Sequence, residues 1–135
     1  MSIVYTEITL KNAVDISMAR KGNIKEDDIR QITVQAMVDT GAWALVINEK
    51  ICKELGLDVQ ENVPSSLADG TEGRYNMAGP VEITWKDRHA LCGALVLPNA
   101  GDVLLGAIPL EMMDLTVNPL RELVGVHGDI VKHRI

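Results

Sequence analysis

The sequence has little of what usually marks a partner or a compartment. Its 135 residues include two cysteines, and 13 basic side chains stand against 19 acidic ones. Cys52 and Cys92 are isolated in apolar surroundings, which excludes a disulfide framework and predicts reduced, buried thiols in a cytoplasmic protein. A net charge of -6 and a pI near 5.0 leave no basic face for a nucleic acid. The one basic cluster, Arg20, Lys21 and Lys25, runs straight into Glu26, Asp27 and Asp28 and reads as a solvated turn. No segment approaches the roughly 20 apolar residues of a membrane span. The stretch "MSIVYTEITLK" carries acid and no long apolar run, so neither a leader nor a membrane anchor is expected.

Several chemistries are missing as well. His89, His127 and His133 lie on separate turns or the tail, no cysteine pair has ligand spacing, and neither a metal nor a cofactor is expected. Ser65 and Ser66 lack a nucleophile-elbow context, and Gly70 and Gly73 lack the lysine and helix that a phosphate loop needs. There are no repeats, linkers or low-complexity tracts.

What is present is a chain with 47% hydrophobic residues, enough for one globular domain over residues 1–135. Strand patterns dominate. "IVYTEITL" and "VDISMA" read as a hairpin leading into "IRQITVQAMV", a strand that ends at Asp39. "NEKICKELG" reads as a short helix, with Asn48 as N-cap and Gly56 at its C-terminal end. "LADGTEGRYNMAG" has hairpin-tip residues, "PVEITW" alternates like a half-buried strand, and "ALCGALVLP" reads as a central strand. "DVLLGAIPLEMM" predicts a strand to Gly106 and a helix from about Pro109, and "LTV" and "ELVGV" flank a turn at Asn118-Pro119. Trp43 and Trp85 are expected as core or interface aromatics, and Met112 and Met113 as core filler.

One break in this pattern carries chemistry. In "AMVDTGAWALVI", residues 36–47, an apolar run is interrupted by Asp39, Thr40 and Gly41. An unpaired carboxylate in apolar surroundings costs several kcal/mol unless it gains something there. Asp39-Thr40-Gly41-Ala42 resembles the active-site loop of the retropepsin-like aspartic proteases. The flanking segments resemble that family in order and separation: "LVINEKICKELGL" its following strand and helix, "LADGTEGRYNMAG" its flap hairpin, and "VLLGAIPLEMMDLTVNP" its closing Gly segment and helix. The resemblance runs from about Val34 to Val126 and implies an all-β closed barrel of the acid protease fold with one or two short helices.

It also implies roles. Asp39 would be the catalytic acid or base, and Thr40 would brace two loops across a dimer. Gly41 would hold the carboxylate through its N–H and let substrate approach, while Ala42 would keep the cleft floor small. Asp69, Gly70, Thr71, Glu72 and Gly73 would form a flap over an extended peptide, and Gly106 would pack behind the loop. Such chemistry needs two carboxylates around one water, and the sequence holds a single Asp-Thr-Gly, so a homodimer is expected. Retroviral members pair an acidic residue after the loop with an Arg after the closing Gly; Trp43 and Ala107 stand there instead, so neither charge is orphaned. Two readings stay open: a homodimeric endopeptidase acting on peptides or proteins, and a catalytically silent peptide- or protein-binding module. "LADGTEG" is equally compatible with a plain surface hairpin. The tail "HGDIVKHRI" suits either a frayed end or a dimer strand.

Overall fold

A computed structural model describes residues 3–66, 70–98 and 101–126. In chain order the elements are β1 (Val4–Asn12), α1 (Ala13–Arg20), a 3-10 turn (Glu26–Asp28), β2 (Gln31–Val38), β3 (Leu45–Asn48) and α2 (Glu49–Glu54). Then follow β4 (Asp58–Ser66), β5 (Glu72–Trp85), β6 (Arg88–Leu97), β7 (Val103–Leu105), α3 (Ala107–Met112), β8 (Leu115–Val117) and β9 (Leu123–Gly125).

The main sheet runs β1-β2-β7-β3-β6-β5-β4, and β1 also pairs with β5. That extra pairing closes six of the strands into a barrel, leaving β4 as a flange on β5. Closure removes the open edge that β1 would otherwise present. The fold is the retropepsin-like closed barrel that the sequence resemblance implies.

Alternation decides which side chains fill it. Ile8 and Leu10 of β1, Leu45 and Ile47 of β3, Val81 and Ile83 of β5 and Leu105 of β7 are all 1% exposed or less and form one cluster. Each such burial stabilises by roughly 1.5–3 kcal/mol. A second cluster forms from Ala44, Val46, Met77 and Leu95, with Val63, Tyr75 and Leu104 packed against it; on β5 the irregularity between Ala78 and Val81 is what puts Met77 on a different face from Val81 and Ile83. That cluster joins the β4–β5 hairpin to β3, which follows the Asp39 loop, and to β6 and β7.

Several local readings hold. The Asn48 side chain accepts the Ile51 N–H at 2.8 Å and starts α2, and Gly56, at φ +61°, ends it. β6 is central, parallel to β3 and antiparallel to β5. β8 and β9 pair around Asn118-Pro119, where Asn118 Oδ1 accepts the Glu122 N–H.

Others need correction. "VDISMA" lies in helix α1, not a strand. Asn12 caps it by accepting the Asp15 N–H at 3.1 Å, while its Nδ2 donates to the Leu55 carbonyl. The apolar Val14 and Met18 face solvent, and the polar Asp15 is buried against Arg30. Cap chemistry therefore prevails over alternation here. Helix α3 begins at Ala107, two residues before Pro109, which still falls in the first turn where its missing N–H costs nothing. Met113 is core filler, but Met112 is 49% exposed.

Candidate active site

Strand β2 ends at Val38, and the following loop is fixed mainly by backbone. The Asp39 N–H donates to the Leu105 carbonyl at 3.0 Å, so the loop leaves β2 under the control of β7. The Ala42 N–H donates back to the Asp39 carbonyl at 3.1 Å, which closes a tight turn. The Gly41 N–H donates to Asp39 Oδ1 at 2.9 Å and fixes one carboxylate oxygen, leaving the half-exposed group facing outward. An aspartate bonded to the backbone two residues on is a common turn device. Here it also aims the acid.

Gly106 lies directly behind. A Cβ at this position would collide with the Ala44 carbonyl and come within 2.7 Å of the Ala42 carbonyl. The next two residues complete the fastening: Ala107 N–H donates to the Ala42 carbonyl at 2.8 Å, and Ile108 N–H donates to the Trp43 carbonyl at 3.1 Å. The start of α3 is thus stitched to the loop by backbone bonds at the positions where retroviral members use an ion pair. Asp39, Gly41, Ala42 and Gly106 form one unit. Thr40 is exposed and makes no side-chain hydrogen bond among the described residues.

The β4–β5 hairpin stands over this loop. Gly70, with φ +85°, Thr71 and Glu72 are exposed, Gly73 pairs with Ser65, and Asp69 lies outside the described residues. The Tyr75 ring packs on Gly73, where a Cβ would meet its hydroxyl at 3.1 Å. Lower on the hairpin Arg74 Nε donates to Asn62 Oδ1 at 2.8 Å, and Asn62 Nδ2 donates to Asn76 Oδ1 at 3.2 Å.

Hairpin and loop meet through a residue pair that sequence reasoning did not connect. The Trp43 indole Nε1–H donates to Ser65 Oγ at 3.0 Å. Trp43 is 41% exposed and forms one wall of an apolar pocket of about 210 Å³ completed by Met77, Cys92, Gly93, Ile108 and Pro109. Ser65 matches no nucleophile motif, and its contact with Trp43 spans 22 residues, so no local signal marks it. Trp85, by contrast, is a buried aromatic whose indole donates to Thr6 Oγ1 at 2.8 Å.

The two thiols are free. Burial pushes Cys92 up to about 11, and burial followed by the Glu49 charge raises Cys52, so both stay protonated and unreactive near neutral pH. Among the described residues no three His, Cys, Asp or Glu side chains are grouped to hold a metal ion.

The gag-polyprotein putative aspartyl protease family, which is retropepsin-like, matches residues 13–111 of this chain. The chain belongs to that family. The match spans the Asp39 loop, the β4–β5 hairpin and Gly106, and it stops within α3. A search of curated proteins finds no match. No helix among the described residues is long and apolar enough to cross a membrane.

Proposed function

We propose that this retropepsin-like domain, taken as residues 1–135, is a homodimeric aspartic endopeptidase that cleaves peptide or protein substrates in the cytoplasm. The observation that carries the reading is the Asp39 carboxylate, outward-facing and held by the Gly41 N–H, on a loop locked by Leu105 and Ala107. One carboxylate cannot both activate water and protonate the departing amine. Two carboxylates sharing one proton can do both. Because the sequence has one Asp-Thr-Gly, the second comes from a twofold-related copy.

The roles follow from this arrangement. One Asp39 takes a proton from the water as it attacks the carbonyl, and the other, protonated, donates to the developing alkoxide. The first Asp39 then gives the proton it took from water to the amine nitrogen as the C–N bond breaks. A hydroxyl of the tetrahedral intermediate returns a proton to the second, which restores the pair with one shared proton, and the pair titrates as a unit. Gly41 positions the carboxylate, Thr40 offers a hydroxyl toward the second copy, and Ala42 leaves room at the floor. Gly70 to Gly73 cover the peptide.

The test is digestion of an unstructured protein mixture from acidic to neutral pH by wild type and Asp39→Asn, with sedimentation of both. Cleavage by a wild-type dimer and at least ~10³-fold loss in the folded variant is expected. Equal cleavage by the variant, or a wild type that stays strictly monomeric at high concentration, would sink the self-assembled enzyme. A folded dimer that cuts nothing would favour the silent binding module.

A further inference from the structure

Helix α3 is held at both ends, and by different means. At its start the Ala107 and Ile108 N–H groups donate to the Ala42 and Trp43 carbonyls, which ties it to the Asp39 loop. At its other end a side chain of β6 does the holding. Arg88 opens that strand, and its Nη1 donates to the Met113 carbonyl at 2.7 Å and to the Asp114 carbonyl at 3.2 Å. The Asp114 carboxylate lies 3.6 Å from the same nitrogen. Carbonyls at a helix end have no partner within the helix, and a basic side chain is one of the groups that satisfy them.

Arg88 is 6% exposed, and a charge taken that far out of water persists only where it is paired and hydrogen-bonded. Its backbone is fixed in turn, because it pairs with Trp85 at the close of the tight β5–β6 turn. Asp114, at φ +56°, turns the chain out of α3 toward β8, and its carbonyl also accepts the Val126 N–H at 2.8 Å. One guanidinium thus fixes the point at which α3 stops. The helix has six residues, about 9 Å, and so short a helix holds no position without its neighbours. The loop is stitched to its first turn, so the loop lies where the helix is seated.

We propose that Arg88 is a positioning residue for the catalytic loop: by seating the C-terminal end of α3 it sets, through Ala107 and Ile108, where the Asp39 carboxylate stands. The catalytic consequence rests on the endopeptidase reading. Arg88 acts only through the helix.

The experiment compares Arg88→Met with Asp15→Asn, which breaks another buried ion pair, to Arg30, at a site bonded to neither the loop nor α3. Both are assayed well below their melting temperatures. Arg88→Met is expected to lose about tenfold to a hundredfold in kcat with KM within about twofold, because a small displacement of a reacting group costs rate more than binding. Asp15→Asn should keep kcat within about twofold of wild type. Arg88→Lys, whose ammonium can donate to both carbonyls as Nη1 does, should recover most of the loss. The N–H groups of Asp39, Ala42, Ala107 and Ile108 should exchange faster in Arg88→Met and not in Asp15→Asn. Where Arg88→Met does not fold, Arg88→Gln, which keeps an amide donor without the charge, is read in the same way. Wild-type kcat in the folded variant, an equal loss in Asp15→Asn, or faster exchange confined to Met113 through Val117 overturns the proposal and leaves the endopeptidase standing. A wild type without Asp39-dependent cleavage overturns the endopeptidase and, with it, the catalytic role of Arg88.

Discussion

Between Asp39 and Ala44 the chain is fastened by backbone. Asp39 is bonded to Leu105, Ala42 to Ala107 and Trp43 to Ile108, with Gly106 pressed against the turn. The β4–β5 hairpin above it is a backbone ladder within itself, but its hydrogen bond to the loop is a side-chain one, Trp43 to Ser65, and its exposed face adds Arg74 to Asn62 and Asn62 to Asn76. Backbone bonds survive most substitutions, so the position of the acid does not depend on which side chains surround it. Exposed side-chain bonds are each worth little and are easily exchanged for water. The loop is built to hold one geometry, and the hairpin to give way and re-form around a peptide. A catalytic acid and a cover need those opposite properties.

The contrast breaks most severely at Gly106. Gly106→Ala places a methyl group against the carbonyls of Ala42 and Ala44 and within 2.8 Å of the Ala44 nitrogen, all backbone atoms with no rotamer to change. A loss of about 3 kcal/mol in chemical denaturation is expected, with activity falling further than stability because the Asp39 loop must move. A loss below about 1 kcal/mol would show that the loop adapts, and the distinction between a fixed floor and a yielding cover would fail.

A second fixed point lies on the barrel wall and depends on pH. Arg30 donates to both Asp15 oxygens, at 2.8 and 2.9 Å, and its guanidinium packs onto Gly56 at the end of α2. The hydrogen bonds from Arg30 hold the Asp15 carboxyl below its usual range, with burial opposing them. A lowered folded-state pKa contributes stability above the unfolded value of 3.8, and this contribution is lost as pH falls through the folded value. The wild type should therefore lose stability on the acid side of about pH 4. Asp15→Asn should cost about 2 kcal/mol at neutral pH and flatten that acid limb, measured as Tm against pH. An unchanged acid limb would remove Asp15 as its source. Any digestion at acidic pH takes place on this slope, so loss of activity there must be compared with loss of fold.

Local chemistry made part of this legible in the sequence. Asp39-Thr40-Gly41 interrupts an apolar run, Asn48 and Gly56 bracket α2, and Asn118-Pro119 turns β8 into β9, each within a few residues. What stayed hidden depends on distant partners. Asn12 caps α1 through the Asp15 N–H only three residues on, a local signal masked in the sequence by the strand-like pattern of "VDISMA"; its second bond, to the Leu55 carbonyl 43 residues away, is what no local pattern records. Trp43 read as an ordinary aromatic because Ser65 reaches it only once β4 folds over the loop. The backbone stitching of Ala42 and Trp43 to α3 was equally out of reach, since alanine and tryptophan side chains do not record what their carbonyls accept.

The smallest expected effect tests the other half of the contrast. Arg74 spans the hairpin, with Nε on Asn62 Oδ1 and Nη2 on the Asn62 carbonyl at 2.9 Å, and all of these groups are exposed. Arg74→Met keeps much of the aliphatic stem and removes every donor. Because water replaces those bonds, global stability should change by no more than about 0.5 kcal/mol. Amide exchange in β4 and at the start of β5 should nonetheless speed up, while amides of the Asp39 loop and α3 stay as they were. A stability loss near 2 kcal/mol would mean that the hairpin is built into the cooperative core as firmly as the loop is. Faster exchange reaching Asp39 and Ala107 would mean that the Trp43 contact transmits hairpin opening to the acid, so that cover and catalytic floor move as one body.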